Sequence, residues 1–345
     1  YVFNNGSSEY IGYAPSVMAN DQLTWETTDQ WNVGVDFGFL KNRINGTVEF
    51  YLQNTKDLLL KRQLPVVSGF SSVMSNVGST RNKGIEITLN TRNIMNRNFT
   101  WSTDLTFSAN KEEIVELYNG KTDDVGNLWF IGQPIDVYYN YKKIGIWQNT
   151  ENDLAEMAKF NEKGANFKPG SIRLEDVDGD YKITEEDKQI LGSVRPKFVA
   201  SMVNNFEFKG FDLSVFLYAS VGGLLRNNIE FMEKPGRGNT VKVDYWTPTN
   251  PTNAFPRPSV DVEKLDYIST LGYDKADFLR IRNITLGYTL PEMWSKKVLM
   301  DKIRIYLSAN NPAIFTNFTG IDPEGANGRT APSYSTWMFG INLSM

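Results

Sequence analysis

The sequence contains no cysteine and no histidine. Those two absences together exclude disulfide frameworks, Cys/His zinc sites, cysteine nucleophiles and Ser-His-Asp triads. No apolar stretch approaches the roughly eighteen residues of a membrane-spanning helix, and mean hydropathy is −0.38, so a helical membrane protein is excluded. There is no run of lysine or arginine, and 36 basic against 40 acidic residues leave a net charge of −4, so nucleic acid is not an expected partner. Runs of alanine and leucine are scarce. Aromatics, by contrast, reach 13%, with 8 Trp, 16 Tyr and 21 Phe, and the apolar 41% is spread in alternation instead of helical blocks. This is an all-β composition. A membrane β-barrel fits it, because barrel strands give a weak hydropathy signal. A chain of 345 residues has room for two or three domains or one large barrel.

Strict apolar/polar alternation recurs along the chain. Trp31, Val33, Val35, Phe37 and Phe39 interleave with Asn32, Gly34, Asp36 and Gly38. Val48, Phe50 and Leu52 return after the turn 40–43, and Ile85, Ile87 and Leu89 lead to Phe99, Trp101, Leu105 and Phe107 after the turn 93–98. Phe211 to Ala219, Ile303 to Leu307 and Trp337 to Leu343 repeat the pattern. The spacing predicts nine strands: 31–39, 44–54, 82–92, 99–109, 198–206, 211–219, 278–288, 302–310 and 334–345. At about ten residues they exceed the five or six of an average soluble strand.

Alternation alone also fits a sandwich, so the connections decide. Tight turns sit at 40–43, 93–98 and 207–210, while long loops cover 55–81, 110–197, 220–277 and 311–333. Short turns at one end and long loops at the other are the asymmetry of an outer-membrane barrel, whose long loops are extracellular. A tenth alternating run, Tyr138 to Trp147, breaks the up-down order unless it lies inside the loop 110–197. Pro291 to Met300 reads as a short helix in a turn-end connection. In 278–288, Phe278, Arg280 and Arg282 share parity with Ile284, Leu286 and Tyr288, which would turn two arginines to lipid. Either a bulge near Asn283 re-aims half the strand, or the arginines snorkel at the rim. Nine strands cannot close a bacterial barrel, which uses even numbers, so the expected partners lie N-terminal to Tyr1. The start at Tyr1-Val2-Phe3, without initiator Met or signal peptide, accords with a processed chain or a fragment.

One motif carries recognisable chemistry. Residues 176–187, Asp-Val-Asp-Gly-Asp-Tyr-Lys-Ile-Thr-Glu-Glu-Asp, read as an EF-hand-like loop. Asp176, Asp178 and Asp180 occupy positions 1, 3 and 5, the Lys182 carbonyl position 7, Thr184 position 9 and Asp187 position 12. Hard oxygen ligands at this spacing suit Ca²⁺ and, less well, Mg²⁺. Tyr181 stands where the pattern wants Gly, and Asp187 where it wants the longer Glu; both predict weaker binding. The competing reading is a solvated acidic turn before a short helix capped by Thr184. Aromatic residues in the long loops, Trp129, Tyr138, Tyr139, Tyr141, Trp147, Tyr245 and Trp246, are candidate platforms for sugar rings or peptide side chains, against the plainer reading of loop packing and interfacial girdle. Glu49, Glu86 and Asp104 read as charges lining a hydrated lumen, not as a glycosidase pair. No catalytic residue is assigned. The stretch 247–258, rich in proline, reads as a stiff loop able to touch a partner.

Several stretches in order resemble the C-terminal part of the SusC/RagA family of TonB-dependent outer-membrane transporters. They are Leu23-Thr24-Trp25-Glu26-Thr27-Thr28 leading into Trp31-Asn32-Val33-Gly34-Val35-Asp36, Asn82-Lys83-Gly84-Ile85-Glu86, and Pro169-Gly170-Ser171-Ile172 before Asp176 to Asp180. Lys209-Gly210-Phe211-Asp212-Leu213-Ser214, the run Phe278 to Pro291, and Gly320-Ile321-Asp322-Pro323-Glu324 complete the set. The resemblance implies the last nine strands of a plugged 22-stranded barrel, with residues 1–345 in its C-terminal portion and the plug domain and TonB box outside this chain. It implies the outer membrane of a Gram-negative bacterium, with loops at the cell surface and lipid around the barrel. The implied activity is import of glycan, oligosaccharide or peptide, not catalysis. The implied partners are a SusD-like surface lipoprotein and, through the missing N-terminal region, TonB, with a dimer of transporter–lipoprotein pairs as the larger assembly. Family members usually end in an aromatic residue; this chain ends Asn342-Leu343-Ser344-Met345. Two alternatives stay open: a TonB-dependent receptor for metal chelates or vitamins, and a soluble β-rich surface glycan-binding protein.

Overall fold

A computed structural model describes residues 2–4, 9–11, 18–227, 242–258, 266–325 and 333–345. Parts of the loops 220–277 and 311–333 fall outside these residues, as does Tyr1. The chain divides into two compact units. One comprises Tyr1–Val35, Val48–Ile85 and Asn110–Ile135; the other comprises Asp36–Thr47, Glu86–Ala109 and Asp136–Met345.

All nine expected strands are present, and most run further than the alternation indicates. They are β1 (Thr27–Phe39), β2 (Ile44–Lys56), β3 (Ser79–Met95), β4 (Phe99–Glu116), β5 (Phe198–Phe208), β6 (Phe211–Val221), β7 (Phe278–Thr289), β8 (Lys302–Thr316) and β9 (Thr336–Ser344). They form one sheet in simple chain order from β1 to β9. From β4 to β9 every pair is antiparallel. Each strand pairs with its neighbour in sequence, through tight reversals at 40–43, 96–98 and 209–210 and through longer connections elsewhere. The β5–β6 turn shows how the sequence makes this possible: Lys209 and Gly210 both take positive φ, 47° and 90°, and Phe208 pairs with Phe211 across them. Two left-handed residues match the twist of the flanking strands.

The register assigns the faces. Phe211, Leu213, Val215 and Leu217 of β6 stand opposite Tyr288, Leu286, Ile284 and Ile281 of β7 on an apolar face. There Trp101 stacks on Phe206 at 5.7 Å and Phe211 lies 4.5 Å from Tyr288. On the other face Thr106 bonds Ser201 at 2.7 Å, Asn283 donates to Ser308 and Asn310, and Arg304 grips Asp212 through Nε and Nη2 at 2.9 and 2.5 Å. Gly287 clears space for that pair, since a Cβ there would come within 2.5 Å of both partners.

The bulge expected near Asn283 exists and falls on Arg282. Phe216 pairs with Asn283 and the next residue, Leu217, with Ile281, so Arg282 is extra. It reverses the parity of β7: Ile284 and Leu286 stay on the apolar face while Arg280 turns to the polar one. Arg280 does not snorkel. It is 3% exposed, and its guanidinium meets Asp322 at 2.7 Å and Glu324 at 2.6 Å. Arg282 also pairs with Glu324.

The connection between β4 and β5 (residues 117–197) and that between β6 and β7 are not strands of the sheet. The alternating run from Tyr138 to Trp147 does lie inside the first: Val137–Tyr141 pairs with Lys188–Ser193, and Lys143–Ile146 with Ile172–Leu174. A helix, α1 (Glu151–Glu162), capped by Thr150 on the Asp153 N–H, buries Met157 and Phe160. The two connections share one core in which Ile146, Ile172 and Leu174 pack with Trp246 and Leu271. Beside it Trp147, Met157, Phe160 and Phe167 form a second cluster. The proline-rich stretch is strapped to this body: Lys143 donates to the carbonyls of Asn253 and Ala254 at 2.7 and 3.0 Å, and Arg257 N to that of Gly170 at 2.9 Å.

Candidate functional site

The acidic loop is built on a strand end and a one-turn helix. Asp176 follows the strand Ile172–Leu174 by two residues, and Thr184 caps the 3-10 turn Glu185–Asp187. Asp176 accepts from the N–H groups of Gly179 and Tyr181, each at 2.9 Å, which folds the loop back on its first ligand position. Tyr181 takes φ 63° where glycine would be easiest. Its ring is held in that conformation by Phe160, 5.5 Å away, and by Lys159 above it at 5.0 Å. Asp187 is 1% exposed and its carboxylate accepts from Val177 N at 2.8 Å and Thr184 N at 2.7 Å.

Three of the six expected ligands converge: oxygens of Asp176, Asp178 and Asp187 lie within 4.8 Å of one another. Asp180 stands apart from this trio and accepts from Lys182 N, and the Thr184 hydroxyl accepts from Glu186 N. The segment thus combines a carboxylate cluster with a capped turn. Three carboxylates, one of them fully buried, repel one another unless a cation joins them. The donor set is hard oxygen throughout and fits a divalent ion of the calcium type.

The candidate aromatics separate by burial. Trp147 and Trp246 are core residues, 1% and 6% exposed, so neither presents a ring face to a substrate, and the expectation for those two is corrected. Trp147 is enclosed by Phe160 and Phe167 with the Arg173 guanidinium 4.4 Å above it, and Trp246 Nε1 donates to Gln148 at 2.9 Å. Trp129 belongs to the other compact unit. Tyr138, Tyr139 and Tyr141 sit half-buried on the strand Val137–Tyr141, and Tyr245 is exposed. Tyr138 meets Tyr273 edge-on at 5.2 Å, and Tyr141 meets Tyr267 at 5.4 Å. Burial, reinforced by neighbouring Glu185, holds the Tyr141 hydroxyl above its usual range, so it stays a donor. Lys188 in turn keeps Glu185 below the usual carboxylate range. Next to this strand lies a cavity of about 470 Å³ lined by Lys143, Gln189, Phe255, Tyr273 and Asp274 among others. Burial lowers the Lys143 ammonium from its usual value.

The Arg280–Asp322–Glu324–Arg282 network has no counterpart among the expected sites. Its signal was present as two arginines on one strand and two acids in Gly320-Ile321-Asp322-Pro323-Glu324, with 42 residues separating Arg280 from Asp322.

A sheet of long strands with one face apolar and bare is the wall of a membrane barrel, since water would not tolerate such a surface on strand after strand. Comparison with known proteins gives the branch. The family model for the TonB dependent receptor-like β-barrel matches residues 2–312. A TonB-dependent receptor (P3) of Formosa agariphila is 32% identical over 98% of this chain and 36% of its own length. SusC of Bacteroides thetaiotaomicron is 30% identical over 99% of this chain and 35% of its own. Among solved structures, a RagAB peptide transporter aligns with TM-score 0.76 and 25% identity, over 99% of this chain and 38% of that one. The RagAB peptide importer in its open-open state gives 0.77, 26%, 100% and 38%. The chain belongs to the TonB-dependent receptor-like β-barrel family, in its SusC/RagA branch. It spans about a third of the length of the curated relatives it matches.

Proposed function

We propose that this chain forms part of the barrel wall and surface loops of a SusC-like importer in the outer membrane. Nutrient import, not catalysis, is the activity. A SusD-like lipoprotein delivers the substrate, TonB acts through a region outside this chain, and glycan, oligosaccharide or peptide is the cargo. The likeness to SusC and to the RagAB peptide importer, which runs over nearly the whole chain, carries this reading. The packed body built from residues 136–197, 242–258 and 266–277 supports it, because a lid-like partner needs a rigid surface to close on. The 110–197 loop then faces the outside, and Tyr138, Tyr139, Tyr141 and Tyr245 offer ring edges and hydroxyls to cargo or partner. Pairs of transporter and lipoprotein dimerise in this reading.

Calcium belongs to the same proposal. Asp176, Asp178 and Asp187 hold the ion, with Asp180, the Lys182 carbonyl and Thr184 completing the shell. Its chemistry is structural: it neutralises the buried carboxylate and ties the strand after Gly170 to the turn before Lys188. Calorimetric titration of the full protein with Ca²⁺ should show binding that Asp176→Asn weakens at least tenfold; no heat at millimolar ion rejects the site.

The import reading is tested by intact mass spectrometry on the complex solubilised from membranes. The expected result is a chain well over twice 39.2 kDa accompanied by a lipoprotein. A 39.2 kDa chain recovered alone from the aqueous fraction would overturn it in favour of a soluble surface-binding protein. A barrel without a lipoprotein would favour the receptor for metal chelates or vitamins.

A further inference from the structure

The two ends of the sheet differ in charge. The four connections at the turn end, residues 40–43, 96–98, 209–210 and 290–301, hold six basic and two acidic residues. Residues 117–197, at the opposite end, hold fourteen acidic and eleven basic. At the turn end each basic group has an exposed apolar neighbour: Leu40 beside Lys41, Met95 beside Arg97, Phe208 and Phe211 around Lys209.

The connection 290–301 differs from the other three, which have two to four residues. It folds into α2 (Glu292–Ser295) and a 3-10 turn, Lys296–Val298. Ser295 is fully buried and donates to the carbonyls of Glu292 and Asp301, each at 3.2 Å. On the outside Met293, Trp294, Val298 and Leu299 are exposed, Leu299 at 88%, with Lys296 and Lys297 between them. The segment hangs from the sheet by Leu290 N to Ile303 O and Asp301 N to Ser344 O, next to exposed Leu343 and Met345 on the apolar face. Tryptophan, bulky aliphatics and lysine in one short amphipathic piece, continuous with a lipid-facing wall, is the composition of an interfacial anchor.

Beside it a concavity of about 650 Å³ is lined by four cations, Arg97, Lys209, Lys302 and Arg304, against two acids, Glu207 and Asp212, with Phe208 and Phe211 alongside. Arg304 is spent on Asp212, whereas among the described residues Arg97, Lys209 and Lys302 form no ion pair. We propose that the turn end is a docking surface for anionic phospholipid, in which residues 291–300 lie in the headgroup plane and Arg97, Lys209 and Lys302 seat a lipid phosphate in the neighbouring concavity. Cationic side chains near a leaflet gain from its negative surface potential, and the apolar neighbours gain from the acyl boundary. This rests on the barrel spanning a membrane, as proposed above.

The test uses the full-length protein in nanodiscs containing brominated phosphatidylglycerol or brominated phosphatidylcholine. The parent emission minus that of Trp294→Phe, or of Trp337→Phe, gives the contribution of each tryptophan. Brominated phosphatidylglycerol should quench both, and its effect on Trp294 should exceed that of brominated phosphatidylcholine at least twofold. K209Q/K296Q/K297Q/K302Q should abolish that preference; K296Q/K297Q alone, outside the sheet, should halve it and serves if the fourfold variant does not fold. Quenching of Trp337 without Trp294 overturns the docking surface and leaves the barrel standing. Equal quenching of Trp294 by the two lipids overturns the anionic preference. Quenching of neither tryptophan overturns the barrel reading and the docking surface together.

Discussion

Trp147 and Trp337 are the same side chain in two regions of one compact unit. Trp147 is 1% exposed, wrapped by Phe160, Phe167 and Arg173; Trp337 is 65% exposed on β9, with Phe339, Ile341 and Leu343 exposed along the same strand. The loop body folds as a protein in water folds, apolar side chains inward. The sheet gathers its charged pairs on one face and leaves its apolar side chains on the other for lipid to cover, where Asn204 accepts from Trp101 and Thr103 among them. One chain is thus written for two solvents, and a substitution should be judged by which solvent its region meets.

The largest effect should come from emptying the loop core. Trp147→Ala should cost the loop body about 4 kcal/mol. Hydrogen exchange should show its amides losing protection while heat-modifiable gel migration reports an intact barrel; Trp337→Ala should leave both unchanged. Next, Phe339→Lys sets a charge on the apolar face and should cost about 2 to 4 kcal/mol at mid-bilayer depth. Asn342→Lys, one face away, should cost little; folding into lipid vesicles compares the two. Then comes the ion network. Asp322→Asn removes one of the two carboxylates on the buried Arg280, leaving Glu324, and should destabilise the loop after β8 by about 2 kcal/mol. Burial pushes the Asp322 carboxyl up, but hydrogen bonds from Ser333, Glu324 N and Arg280 outweigh it and leave it below the usual carboxylate range. Its stabilising contribution is therefore complete above the ordinary aspartate pKa and is lost as pH falls through the lowered value. Proteolysis of that loop should accelerate only in that acid window, and in the Asn variant should be fast at every pH. Smallest is Trp246→Phe, which loses one hydrogen bond to Gln148 and about 1 kcal/mol, read as a slight rise in loop exchange rates.

The sheet was legible because its signal is local: period-two alternation needs only one strand to be read. Strand ends were not, since β4 runs to Glu116 and β1 starts at Thr27, where neither face is apolar and alternation fades. The Arg282 bulge was visible as a parity conflict, yet its acidic partners lay 42 residues away and no local pattern announced them. In the loop body two assignments were inverted. Trp246 looked like a surface aromatic because its core partners Ile146, Ile172 and Leu174 come from the other connection; Trp147 did so because α1, which supplies Met157 and Phe160, went unforeseen. The acidic loop was legible in spacing. That Tyr181 would hold a left-handed backbone followed only from Phe160 and Lys159 packing on its ring.

In the sheet, order in space is order in sequence. No strand waits for a distant partner, so the length of a long connection does not alter which strands meet, and lengthening it carries only a slowly growing entropy cost. The two connections that build the loop body leave β4 and β6 and return to the strands next in line. They can accordingly be exchanged as a matched pair. A relative carrying different versions of both should graft onto this wall without disturbing a single strand register, whereas either one grafted alone would arrive without its half of the core.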